Sequence, residues 1–124
     1  MRGVFLVAAE LAQRSFIVSP TSRSARGVDL LATNLEGSRT FAVEVKSASN
    51  STFWIVGQKA GEWVSRNNIF VFVKLSKDRE RSRFFVVPST SIRKLIIRGT
   101  TFTFVRRKDI ARYEDRWSAF GRAE

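Results

Sequence analysis

The sequence has no cysteine and no histidine among its 124 residues, and only two prolines, one methionine and one tyrosine. Without thiols there can be no disulfide, no Cys-based zinc site and no thiol nucleophile, and the redox compartment stays open. Without imidazole there is no Ser-His-Asp triad, no His-dependent metal nuclease and no imidazole base. Any acid, base or metal chemistry has to come from carboxylates, Lys, Tyr or backbone. Carboxylates are themselves scarce, 11 Asp and Glu against 22 Lys and Arg, for a net charge of +11. No segment approaches the ~20 apolar residues that span a bilayer, and no strongly basic amphipathic helix points to a membrane surface. The opening Met1 to Ala9 faintly resembles a signal peptide, but Glu10 interrupts its apolar run early. It reads as a helix start, and a soluble, cytoplasmic protein without a membrane partner is expected.

What is present is enough to fold. Apolar residues make up 44% of the chain, with eleven Phe and three Trp, and the length suits one domain over residues 1–124. A charge of +11 sets up a positive field that attracts polyanions, which makes nucleic acid the expected partner. The competing reading is the solvated surface of a basic protein.

The patterning alternates helix and strand. Val4 to Arg14 is nearly all apolar and rich in helix formers, so a largely buried helix is expected. Phe16 to Val18 reads as a short strand ended by Ser19-Pro20. Val28 to Asn34 and Thr40 to Lys46 read as a hairpin whose turn uses Gly37. From Phe53 to Asn68, Gly57 and Gly61 weaken a helix while Trp63 and Val64 can anchor one, and a short helix is expected there. Ile69 to Leu75 is an unbroken run of β-formers, as in a central strand covered on both faces. Phe84 to Val87 follows as its hairpin partner. Ser89 or Ser91 can cap a helix carrying Ile92, Leu95 and Ile96, with Gly99 at its end. Thr101 to Val105 returns as a strand. The tail from Asp109 to Phe120, with Ile110, Tyr113 and Trp117 at helical spacing, reads as an amphipathic helix.

One constellation carries chemistry. Alternate strand residues share a face, so Glu44 and Lys46 point the same way, opposite Val43 and Val45. A hairpin through Gly37 can bring Asp29 within reach of Glu44. Two carboxylates converging at a sheet's end make a hard-oxygen site suited to Mg²⁺. Such an ion lowers the pKa of a bound water, and a neighbouring Lys can orient that water or stabilise developing charge. Together these groups suffice for phosphodiester hydrolysis without His. Glu44 is the one acid of the eleven followed two residues later by Lys. The bland alternatives are an exposed ion pair worth about 0 to 1 kcal/mol and, for Asp29, a carboxylate bonded to local backbone.

The order of helix, strand, Gly27-Val28-Asp29-Leu30-Leu31-Ala32, turn, and Phe41-Ala42-Val43-Glu44-Val45-Lys46 resembles the PD-(D/E)xK nuclease superfamily, in particular restriction-endonuclease-like and archaeal Holliday-junction-resolvase-like proteins. The resemblance covers roughly the first three-fifths of the chain. It implies an α/β fold with an αβββαβ core, a central mixed sheet flanked by helices. It further implies a nuclease acting on nucleic acid, DNA first, with Asp29 and Glu44 as ligands of Mg²⁺, for which Mn²⁺ can substitute. The backbone carbonyl of Val45 would be a third ligand, and Lys46 the base or charge stabiliser. The segment Trp54-Ile55-Val56-Gly57-Gln58-Lys59 resembles the stretch in which a Gln entering the next helix supports the site, which makes Gln58 a candidate.

Two departures are visible. Val28 stands where many relatives have Pro. The Glu that the first helix often supplies would fall near Val4, whereas Glu10 lies further on and is spaced to pair with Arg14. That leaves the site one ligand short, and makes a catalytically weak or inactive DNA-binding module, or a subunit of a larger complex, the alternative reading. Phosphate contacts are expected from Arg23 and Arg26 just before Asp29, from Lys59, and from Lys77, Arg79 and Arg81 in the later hairpin loop. Arg106, Arg107 and Lys108 form a further basic cluster. Resolvase-like activity would favour a two-fold homodimer.

Overall fold

The computed structural model describes residues 2–21, 27–49, 51–77 and 81–124. The chain opens with helix α1 (Arg2–Gln13), which buries Gly3, Val7 and Leu11 along one stripe. The helix stops because Ser15 takes the left-handed conformation at φ 74°. Phe16 N–H then donates back to Leu11 O at 3.1 Å and Ser15 N–H to Ala12 O at 3.0 Å. This is the two-bond motif that satisfies the last carbonyls of a helix.

Five strands then form the main sheet in the order β1-β2-β3-β5-β6. They are β1 (Ile17–Pro20), β2 (Leu30–Thr33), β3 (Thr40–Ala48), β5 (Asn68–Lys74) and β6 (Arg83–Pro88). β2 and β3 pair antiparallel across the Gly37 turn, and β5 and β6 pair antiparallel across theirs. β3 and β5 run parallel, so the chain between them has to cross over. The sheet is therefore mixed, as expected, and Ile69 to Val73 are buried on both sides.

Strand alternation sorts the core into two layers. Val43, Ile69, Val71, Val73 and Val86 face α1 together with Phe16, Phe41 and Phe120. Phe70, Phe72, Phe85 and Val87 face the other way, against Trp54, Val56, Ile92, Val105, Ile110 and Tyr113.

That second layer is where the structure departs from expectation. Phe53 to Asn68 holds no α-helix. It begins as strand β4 (Phe53–Val56), which pairs with β8 (Thr103–Arg106), and continues as a short 3-10 turn at Ala60–Glu62. Alternation wins over helix propensity here, because Trp54 and Val56 are buried while Ile55 points out. Trp54 Nε1 also donates to Val73 O at 3.0 Å, which ties β4 to the main sheet. The segment Ser89–Lys94 is a 3-10 helix and not an α-helix. The Ser89 hydroxyl caps nothing, since it accepts from Ser65 N–H at 3.1 Å and donates to Ser65 O at 2.8 Å. Ile96 and Ile97, expected as the end of that helix, instead begin β7 (Ile96–Arg98), which completes a three-stranded sheet β4-β8-β7.

The tail from Asp109 to Phe120 is likewise no continuous helix. It is a chain of 3-10 turns interrupted at Asp115, which has φ 55° and whose N–H donates to Phe84 O at 2.9 Å. This break lets Tyr113 join one core layer and Trp117 the other across the edge of β6. No helix among the described residues is long and apolar enough to cross a membrane.

Candidate functional site

β3 outruns β2. The ladder between them ends at Leu30 opposite Val43, while β3 continues to Ala48 against β5 alone. Asp29 occupies the vacated edge. Its N–H donates to Val43 O at 2.8 Å, and its Oδ2 accepts from Val45 N–H at 2.7 Å. A strand residue turns its N–H and its C=O toward the same edge, so the Val45 carbonyl opens on the side where Asp29 stands. Thr21 steadies the approach, with its N–H donating to Asp29 O at 3.0 Å and its hydroxyl to Val28 O.

Glu44 and Lys46 lie on the face of β3 that looks toward β4, with Lys46 Nζ 3.5 Å from Glu44 Oε2. Burial pushes the Glu44 carboxyl above its usual range, Lys46 pulls it back, and the negative Asp29 adds a further push upward. Gly27 makes room for this carboxylate. It has φ +67°, and a Cβ there would sit 3.1 Å from Glu44 Oε1, so both backbone conformation and space favour glycine. In front of Glu44 and Lys46 lies a cleft of about 400 Å³ whose other walls are Gly57, Lys59, Ala60, Glu62 and Trp63.

The structure therefore brings Asp29, Glu44, Val45 and Lys46 together and adds Lys59 from across the cleft. Gln58 is exposed and does not line it, and its carbonyl accepts from Arg98 Nη1 at 3.3 Å. Lys77 is exposed in the turn after β5, at the sheet end where Leu75 N–H bonds Ala48 O at 2.8 Å. Arg23, Arg26 and Arg79 lie outside the described residues. Sequence reasoning did not assign Glu62 or Trp63 to the site. Both arrive on the crossover after β4, and the helix expected there offered no signal that this segment curls over β3.

Glu10 is turned away from this cluster. Its Oε1 accepts from Arg14 Nη1 at 3.0 Å and lies 3.8 Å from Arg81 Nη2. The first turn of α1 sits behind β3, where a side chain on Gly3 would collide with Ser47 and lie 3.6 Å from Val45 Cγ1. Among the described residues no cluster of three or more acidic side chains could hold a metal ion. Two carboxylates and a backbone carbonyl are nevertheless a hard-oxygen set of the size Mg²⁺ accepts, because that ion keeps most of its waters. A half-buried carboxylate beside a second acid is also a place where a cation would relieve repulsion.

A helix behind a mixed sheet, with an acid at the edge of one strand beside the Glu-x-Lys face of the next, is a restriction-endonuclease-like fold. Among solved structures the chain is similar to Hjc, a Holliday junction resolvase from the archaeal hyperthermophile Archaeoglobus fulgidus. The TM-score is 0.58 at 15% identity, over 90% of this chain and 89% of that one. At that identity the likeness establishes the fold. No protein-family model matches the sequence, and no curated protein matches it.

Proposed function

We propose that this chain, acting as a single domain, is a metal-dependent nuclease that hydrolyses phosphodiester bonds of nucleic acid, DNA first. The observation that carries the reading is the Asp29 carboxylate on the open edge of β3, with the Val45 carbonyl on that edge and Glu44 and Lys46 beside it. Asp29, Glu44 and the Val45 carbonyl would hold Mg²⁺, or Mn²⁺ in its place. When bound, such an ion lowers the pKa of water and offsets phosphate charge.

Lys46 supplies the remaining chemistry. Its ammonium, held beside Glu44, can hydrogen-bond a non-bridging phosphate oxygen or orient a water for in-line attack. Lys59 on the opposite wall gives a second contact for the polyanion. Incubating the purified protein with Mg²⁺ or Mn²⁺ and supercoiled, linear, single-stranded and four-way-junction DNA is the direct test. Cleavage is expected, with a loss of at least about 10²-fold for Glu44→Ala and Lys46→Ala. Uncut substrates, or variants of full activity, would sink the proposal.

A second reading is favoured by the Glu10–Arg14 pair, which leaves the first helix contributing no acid to the cluster. In that reading the fold binds nucleic acid without cutting it. Affinity would then fall steeply with salt and be indifferent to Glu44 and to divalent metal.

A further inference from the structure

The three-stranded sheet has an outer face that the nuclease reading does not use. Directly paired residues share a face, so the pairs Phe53 with Arg106, Ile55 with Phe104, and Ile97 with Phe104 put these side chains on one side. Their neighbours Trp54, Val56, Thr103 and Val105 are buried on the other. Three rings meet on the outer face. Phe53 and Phe102 stack at 5.8 Å and 12°, and Phe104 lies edge-on to both at 5.6 and 5.5 Å. Phe102 remains 39% exposed and the adjacent Ile55 58%.

The charge around the rings selects the occupant. At the Phe53 end, Thr52, Arg106, Arg107 and Lys108 line a hollow of about 390 Å³. Asp109 is held by Arg106 at 2.8 Å, and among the described residues neither Arg107 nor Lys108 forms an ion pair, although Glu114 lies near enough to feel the Arg107 charge. At the other end the sheet leads through Gly57, beyond Val56, into the cleft that holds Lys46 and Lys59. A second copy of a chain with net charge +11 would bring like charges together across this face. A single nucleic-acid strand would set its phosphates against the cations at both ends and its bases against the rings.

We propose that the outer face of β4-β8-β7 is a binding platform for single-stranded nucleic acid, and that it leads an unpaired strand toward the cleft. Its binding function does not depend on catalysis. The test is fluorescence anisotropy of the full-length protein with a short fluorescein-labelled oligothymidylate, and with a duplex of matching length, in a chelator that prevents cleavage. Leucine keeps the apolar bulk of Phe and removes the ring, so it separates stacking from simple apolar cover.

Phe53→Leu and Phe104→Leu should each weaken oligothymidylate binding about tenfold and change duplex binding little. Arg107→Gln should lower the slope of log affinity against log salt by about one. Phe102→Leu, at the most exposed ring, serves if the other variants fold poorly by circular dichroism. Wild-type affinity in the leucine variants would overturn the platform, as would equal losses on duplex and single strand. It would also fall if light scattering gave a concentration-dependent dimer that the same substitutions abolish, since a second copy would then occupy the face. Because binding is read in a chelator and cleavage separately with Mg²⁺, a failure of cleavage and a failure of the platform remain distinguishable.

Discussion

The two halves of β3 differ in what flanks them. From Thr40 to Val43 the strand has β2 on one side, joined from Ala42 by β5 on the other, whereas from Glu44 to Ala48 it has β5 alone. In the first half, backbone groups are satisfied by the ladder and side chains fill the core. In the second, one edge has lost its ladder, and the Asp29 carboxylate takes over by accepting the Val45 N–H. A site forms where pairing stops, because an edge that lacks a neighbouring strand must draw polar partners from elsewhere. The same step that completes the backbone bonding brings two acids together.

The sharpest way to separate the halves is to damage each and follow stability and activity together. Phe41 belongs to the paired half, has no exposed surface, and packs edge-on against Phe16 and Phe120 at 6.5 and 5.3 Å. Phe41→Ala should therefore cost about 3–5 kcal/mol in urea unfolding, and any loss of cleavage should follow the unfolded fraction. At the unpaired half, Asp29→Ala removes the acceptor of a partly buried N–H and should cost about 1–3 kcal/mol. Asp29→Asn keeps an acceptor oxygen and should cost less than half as much. Both variants should abolish cleavage while the protein stays folded. Equal destabilisation by alanine and asparagine would show that the hydrogen bond does not hold this edge.

The contrast also explains what could be read in advance. Period-two alternation on β3 and the unbroken apolar run of β5 are local signals, and they located strands of the main sheet and the faces of Glu44 and Lys46, whereas the mixed character of the sheet was implied by the family resemblance. The crossover was illegible because Trp54 and Val56 choose strand geometry only when β8, far along the chain, offers a ladder. For the same reason Ile96 and Ile97 become a strand and not a helix end. Glu62 and Trp63 reach the cleft through that non-local pairing, so neither carried a spacing that announced it. Asp29 was legible as an acid near Glu44. Its bond to Val45 N–H was not, because that bond depends on β2 ending at Leu30.

The smallest expected effect lies on Glu44, where the sign is informative. Burial, the leading cause, holds its carboxyl above the ordinary 4.5 despite Lys46. The folded protein therefore keeps a proton that the unfolded chain releases. Stability from this group is fully present below pH 4.5 and is lost as pH rises through the elevated folded value. Glu44→Gln cannot ionise, so its stability relative to wild type should increase with pH across that window and then level off. At neutral pH it should melt slightly above wild type without divalent cations. Adding Mg²⁺ should raise the wild-type melting temperature and leave the glutamine variant unmoved, because binding to the native state stabilises it only where the ligand set is intact. A variant less stable than wild type at neutral pH would mean that the Glu44–Lys46 pair outweighs the desolvation of the carboxylate.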